Sequence, residues 1–134
     1  MNTTQITKAT LDSLTAQAKE SIRLRMNLDL RNSPSDNSQR MLNAIEPGAS
    51  LPIHRHMKSS ETVICIRGRL RELFYDDDGK VTDTFVLAPD SDCVGLNIPI
   101  GQWHTVDVLE TGTVIIEIKD GAYEAITAKD VLDI

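Results

Sequence analysis

Residues 48–68 read GASLPIHRHMKSSETVICIRG. Two histidines, His54 and His56, stand one residue apart, and Glu61 follows after four intervening residues. In an extended strand, side chains two apart face the same way, so His54 and His56 project together and Arg55 projects opposite. Met57 to Ser60 can turn the chain, after which Glu61 opens TVICIR on the adjacent antiparallel strand and returns its carboxylate toward the imidazoles. The competing reading is of ordinary polar residues on a surface hairpin. His104, in PIGQWH (99–104), decides against it, because these are the only three histidines in the chain and all fall at strand-compatible spacings. Three imidazoles and one carboxylate suit one divalent transition metal, Fe, Ni, Mn, Co or Zn, and leave coordination positions open. Ligand type alone does not choose among these ions.

Outward from that stretch, the sequence from about residue 39 consists of short runs rich in Val, Ile and Thr. They are punctuated by EPGAS, DDDGK, APDSD, PIGQ and ETGT. Six to eight strands are expected. In YDDDGKV (75–81) the Asp-Gly pair supplies the positive φ of a tight hairpin. The alternating oxygen ligands and distal glutamate of a calcium loop are missing there. Many short strands without interleaved helices point to an antiparallel sandwich or barrel. Upstream, Leu11, Leu14, Ala18 and Ile22 recur at helical spacing, predicting one amphipathic helix over 7–26 with Thr7 or Thr10 as N-cap. NSPSDNS (32–38) reads as a loop.

Parity along the strands places Val63 and Cys65 on the inward face of Glu61, and Val106 and Val108 on that of His104. Trp103 falls on the outward face, toward a helix or a partner chain. Cys65 and Cys93 lie in apolar segments without the spacing of a zinc site and read as buried, reduced thiols.

A chain of 134 residues suits a single domain. With 40% apolar and 25% charged residues the composition is that of a globular protein. The longest apolar runs, such as TVICI and TVIIEI, fall far short of the roughly 20 residues that cross a bilayer. The N-terminus lacks an apolar signal region, so a cytoplasmic location is expected. A formal charge of −6 disfavours nucleic acid as a partner. Arginines nevertheless cluster at 23, 25, 31 and 40 and again at 67, 69 and 71, which fits either an anionic ligand or a solvated surface.

The quoted stretch matches GxxxxxHxHxxxxExxxxxxG, the first cupin motif, at every named position, and PIGQWH resembles the second motif, PxGxxH. Near the second motif, Cys93 stands where a glycine is expected and Val108 where an asparagine is expected. More of the chain resembles the WbuC-type cupin metalloproteins: RLRMN, QRMLNAIEPG, HRH followed by Glu-Thr, PIGQWHTV and EIKDGAYEAITAKD. That resemblance implies an all-β fold, a single antiparallel jelly-roll barrel with an N-terminal helix. Residues 1–38 would form the helix and loop, 39–126 the barrel and 127–134 a tail with room for a short helix. It implies His54, His56, Glu61 and His104 as metal ligands. The associated setting is surface-polysaccharide (O-antigen) biosynthesis, with a sugar-derived or anionic small molecule as ligand and a homodimer as assembly. An isomerase- or epimerase-like enzyme is the leading expectation. The alternatives are an Fe(II)-dependent dioxygenase, a non-catalytic binding module for a sugar or carboxylate, and a purely structural metal.

Overall fold

The computed structural model describes residues 3–133. Among the described residues one α-helix packs on the first of two five-stranded antiparallel sheets. The helix, α1 (Lys8–Glu20), starts at a reciprocal cap: Thr7 Oγ1 accepts from the Thr10 backbone N–H (3.2 Å), and Thr10 Oγ1 accepts from that of Thr7 (3.1 Å). Its buried stripe, Leu11, Leu14 and Ala18, lies on Leu42, Ala44 and Val114 of the first sheet.

The helix stops six residues before the periodicity predicted. Ser21 is already extended, Ile22 is fully exposed, and Leu24 takes a positive φ of 55°. The reason is a strand that composition hid. Arg25–Asp29 forms β1 and pairs residue by residue with β2 (Ser38–Ile45), from Arg25 opposite Ile45 to Asp29 opposite Met41. Met26 and Leu28 turn toward the helix, which buries them. Arg25 lines the cavity between the sheets. Ladder hydrogen bonds and burial of two apolar side chains outweigh the helical propensity of RLRM.

The remaining strands are β3 (Ile53–His54), β4 (Glu61–Arg67), β5 (Leu70–Tyr75), β6 (Val81–Leu87), β7 (Gly95–Ile98), β8 (Trp103–Val108), β9 (Val114–Asp120) and β10 (Val131–Leu132). The ten strands among the described residues exceed the six to eight expected, because β1 and the two-residue β3 and β10 carry little pattern of their own. Their order is β1-β2-β9-β4-β7 in one sheet and β10-β3-β8-β5-β6 in the other. The tail forms a short 3₁₀ turn (Ala128–Asp130) followed by β10, which pairs with β3. The Asp-Gly hairpin forms as predicted between β5 and β6. Gly79 adopts φ 82°, and Asp76 Oδ1 accepts from the N–H groups of Asp78 and Lys80.

The core lies between the sheets and draws on both: Ile45, Val63, Cys65 and Ile115 from one face, Leu70, Phe74, Leu87 and Val108 from the other. Each such side chain contributes about 1.5–3 kcal/mol by leaving water. Cys65 is buried, Cys93 partly so, and both are free thiols. Among the described residues no helix is long and apolar enough to cross a membrane.

Candidate metal centre

One end of the space between the sheets is apolar and filled. The other is a cavity of about 490 Å³, into which His54, His56, Glu61 and His104 all project. His54 on β3 sits directly opposite His104 on β8, with ring centroids 4.3 Å apart. His56 follows β3 and lies 5.1 Å from His54 and 5.6 Å from His104, centroid to centroid. One ring nitrogen of each lies within 4.8 Å of the others.

Local sequence fixes these rings. In the turn PIGQ, Gly101 adopts φ 81° and its N–H donates to the His56 carbonyl (2.8 Å), tying the loop before His104 to the backbone of His56. His104 Nδ1 is 2.8 Å from the Gln102 carbonyl, and His54 Nδ1 is 3.0 Å from that of Pro52. A carbonyl accepts only, so each Nδ1 carries the proton and each Nε2 presents its lone pair to the cavity. Arg55 projects to the opposite face, as strand parity requires. There its guanidinium stacks on Trp103 (4.3 Å to the ring) and its Nε donates to Asp130 (3.1 Å). Trp103 is therefore covered by Arg55 and donates its indole N–H to Asp77 (2.9 Å), not by a helix.

Glu61 arrives by a different route from the one expected. It opens β4, which belongs to the facing sheet, whereas β3 pairs with β8 and β10. Residues 55–60 thus cross between the sheets, and the carboxylate reaches His56 from across the cavity, whereas the ligand atoms that all lie within 4.8 Å of one another are, among the described residues, those of the three histidines. Glu61 Oε2 lies 3.1 Å from His56 Nε2. The two atoms are close but not aligned as a hydrogen bond, since the buried Nε2 atoms of His56 and His104 have no hydrogen-bond partner.

Electrostatics follow from burial. His54 is pushed down to about 4, by burial first and then by the neighbouring His104. Burial likewise lowers His104. Burial works to raise Glu61, but His56 beside it more than offsets this and holds the carboxyl below its usual range. The result favours neutral His54 and His104 rings beside a carboxylate.

Besides the exposed Glu124, two further acids line the cavity, and the motif did not reveal them. Glu72 on β5 is 1% exposed, and its Oε2 has no partner. Burial, reinforced by Glu61 and Glu117, raises it well above the usual carboxylate range. Glu117 on β9 accepts from Asn43 Nδ2 (3.0 Å) and is raised to about 7, by burial and then by Glu61. The alternation in LRELFY is the signal for Glu72, since Leu70 and Phe74 on either side are core residues.

The donor set fits a divalent transition ion. A single ion about 2.1 Å from each nitrogen needs donors no more than about 4.2 Å apart, a few tenths of an ångström inside the observed span. Two buried, unpartnered Nε2 atoms facing one point would otherwise each cost about 1–3 kcal/mol of lost hydration.

A family model described as "Domain of unknown function (DUF6016)" matches residues 6–87. The chain belongs to this family. No curated protein matches the chain. Among solved structures it is similar in fold to CapF from Staphylococcus aureus, a capsular polysaccharide assembling protein, with a TM-score of 0.65 and 18% identity over 78% of this chain and 30% of that one. KdgF from Halomonas sp. gives a TM-score of 0.57 at 15% identity, over 75% of this chain and 81% of KdgF. Oxalate decarboxylase from Bacillus subtilis, a protein with Mn(II) centres, gives 0.56 at 21% identity over 81% of this chain and 27% of the decarboxylase. The DUF6016 chain thus spans under a third of CapF and of the decarboxylase. These neighbours are cupin-fold proteins, and the paired antiparallel sheets of this chain share that cupin-like architecture.

Proposed function

We propose that the protein is a metal-dependent enzyme acting on a sugar or nucleotide-sugar intermediate, with His54, His56, His104 and Glu61 as metal ligands. The observation that carries this reading is the convergence of three imidazoles, two of them with buried and otherwise unpartnered Nε2 atoms. A divalent ion held there would act as a Lewis acid on a carbonyl or hydroxyl oxygen.

The chain's own residues account for the rest. The backbone carbonyls of Pro52 and Gln102 fix the tautomers of His54 and His104, so that neither ring must turn over to bind. Glu72, whose hold on a proton burial strengthens, faces the same cavity and can give a proton to a substrate oxygen. Glu117, near 7, is the second group able to exchange a proton. Two carboxyls able to hold protons beside a polarising site suit isomerisation or epimerisation, and they favour an enzyme over a simple binding module. Val63, Val106 and Ile115 line the same cavity and keep its dielectric low.

The setting proposed is a WbuC-type role in surface-polysaccharide assembly in the cytoplasm. The motif resemblance supports it, as does the likeness in fold to a capsular polysaccharide assembling protein. Residues 1–134 would act as one domain. The exposed edge strand β6 suits pairing of two copies into a homodimer, which sedimentation would check.

Incubation of metal-loaded protein with a panel of nucleotide sugars and sugar phosphates, read by NMR, tests the reaction. Turnover that falls about 10²–10⁴-fold in Glu72→Gln with metal content unchanged is the expected result. Tight binding of a panel member without conversion would replace the enzyme with a binding module. Oxygen consumption with Fe(II) would replace it with a dioxygenase.

A further inference from the structure

The cavity runs on past the histidines to the inner faces of β1 and β2, where polar groups lie unused. Of the eight arginines in the chain, five have carboxylate partners: Arg31 with Asp29, Arg40 with Asp36, Arg55 with Asp130, Arg67 with Asp12, and Arg71 with Asp107. Arg23, Arg25 and Arg69 have none among the described residues. Arg23 and Arg69 are both exposed, but Arg23, like the half-buried Arg25, lines the cavity. Arg25 Nε is buried without a hydrogen-bond partner. Glu117, on the same wall, is engaged by Asn43 instead. Gln39 on β2 adds an independent sign: the residue is 4% exposed, lines the cavity, and its buried Oε1 has no partner.

A buried N–H or amide oxygen left unmade costs about 1–3 kcal/mol, so such groups are rare unless something from outside completes them. Guanidinium N–H groups match the oxygens of a phosphate or carboxylate, and an amide oxygen accepts from a hydroxyl. We propose that Arg25 and Arg23 form an anion-binding subsite remote from the histidines, and that Gln39 accepts a hydrogen bond from a hydroxyl of the same ligand. The ligand is then an elongated polyhydroxylated anion. Arg25 pairs with Ile45, six residues along β2 from Gln39, or about 20 Å of strand, so a molecule touching both cannot be a two-carbon acid. A cavity of about 490 Å³ has the size of a small-molecule site of that kind. Four acids line this cavity, of which Glu124 is exposed and paired with Lys58. Glu61 faces the histidines, and Glu72 and Glu117 hold protons more readily than ordinary carboxyls, which limits their repulsion of an anion. This inference deepens the proposed function but rests on it only for the identity of the ligand's other end.

Calorimetric titration of chelator-treated, metal-free protein tests it, so that failure of the metal reading would leave the result intact. The probes are uridine diphosphate glucose, a glucuronic-acid disaccharide, and neutral cellobiose. At least one anionic probe is expected to bind about tenfold more tightly than cellobiose. Arg25→Gln should erase that preference without altering the metal content of protein purified without chelator. Whether the diphosphate or the carboxylate probe wins identifies the anion. Should Arg25→Gln fail to fold, Arg23→Gln and a rise in salt from about 50 to 300 mM must each weaken the anionic probe. Equal affinity for anionic and neutral probes, or an anionic preference that survives Arg25→Gln, overturns the subsite, whatever the metal content proves to be.

Discussion

Glu117→Gln isolates the cost of keeping an acid beside the histidine site. In the metal-free protein the Glu117 carboxyl is raised from 4.5 to about 7, because burial penalises its charge and Glu61 repels it. At about 1.4 kcal/mol per pH unit, that shift amounts to roughly 3 kcal/mol. A raised native value means that the folded protein holds the proton more tightly than the unfolded chain. The associated stability is complete below about pH 4.5 and is lost as pH rises through about 7. Glutamine keeps an Oε1 acceptor for Asn43 Nδ2 but never ionises. The variant should therefore match the parent near pH 4.5 and exceed it by roughly 3 kcal/mol at pH 8.5. For a domain of this size that is about 10 °C in Tm. Scanning calorimetry of both chelated proteins across that pH range measures it. A Tm gap that does not change with pH would refute the reasoning.

Three other outcomes follow from particular contacts. A Cβ on Gly68 would lie 2.2 Å from Thr113 Oγ1, at a φ of 84°, so Gly68→Ala should cost about 3 kcal/mol or more in urea denaturation, and a loss under 1 kcal/mol would contradict the packing. Arg67 pins the helix to the sheet by donating to Asp12 (2.6 Å), Thr15 (3.0 Å) and the Gly112 carbonyl (2.8 Å), and Arg67→Ala should cost about 1–2 kcal/mol while leaving metal content unchanged. Because the apolar core closes without the histidines, chelation should lower stability by only about 2–4 kcal/mol and leave a folded chain by circular dichroism; unfolding on chelation would make the metal structural.

The convergence of the three histidines was legible because strand parity depends on little beyond spacing. HRH puts two imidazoles on one face whatever the sheet, and PIGQWH needs only its glycine turn to deliver the third. What spacing cannot convey is which strand lies beside which. Glu61 was expected on the adjacent strand and instead belongs to the opposite sheet, because residues 55–60 cross between sheets where a hairpin would have stayed within one. β1 was hidden because RMNLD lacks β-branched residues and places Arg25 and Asn27 on the inward side, a pattern that looks like the end of an amphipathic helix. Glu72 and Glu117 escaped notice for a related reason. An acid in a strand is ordinarily read as solvent-facing. The alternation in LRELFY puts Glu72 on the face of Leu70 and Phe74, but only the pairing of the strands with β8, β2 and β4 shows that Glu72 and Glu117 face a cavity.

Elemental analysis of protein purified without added metal, beside His56→Ala and His104→Ala, bears most directly on the account. One divalent transition ion per chain in the parent, lost from both variants while their folds persist, is the predicted result. A folded parent that carries no such ion and takes up none on titration with Mn, Fe, Co, Ni or Zn would contradict it.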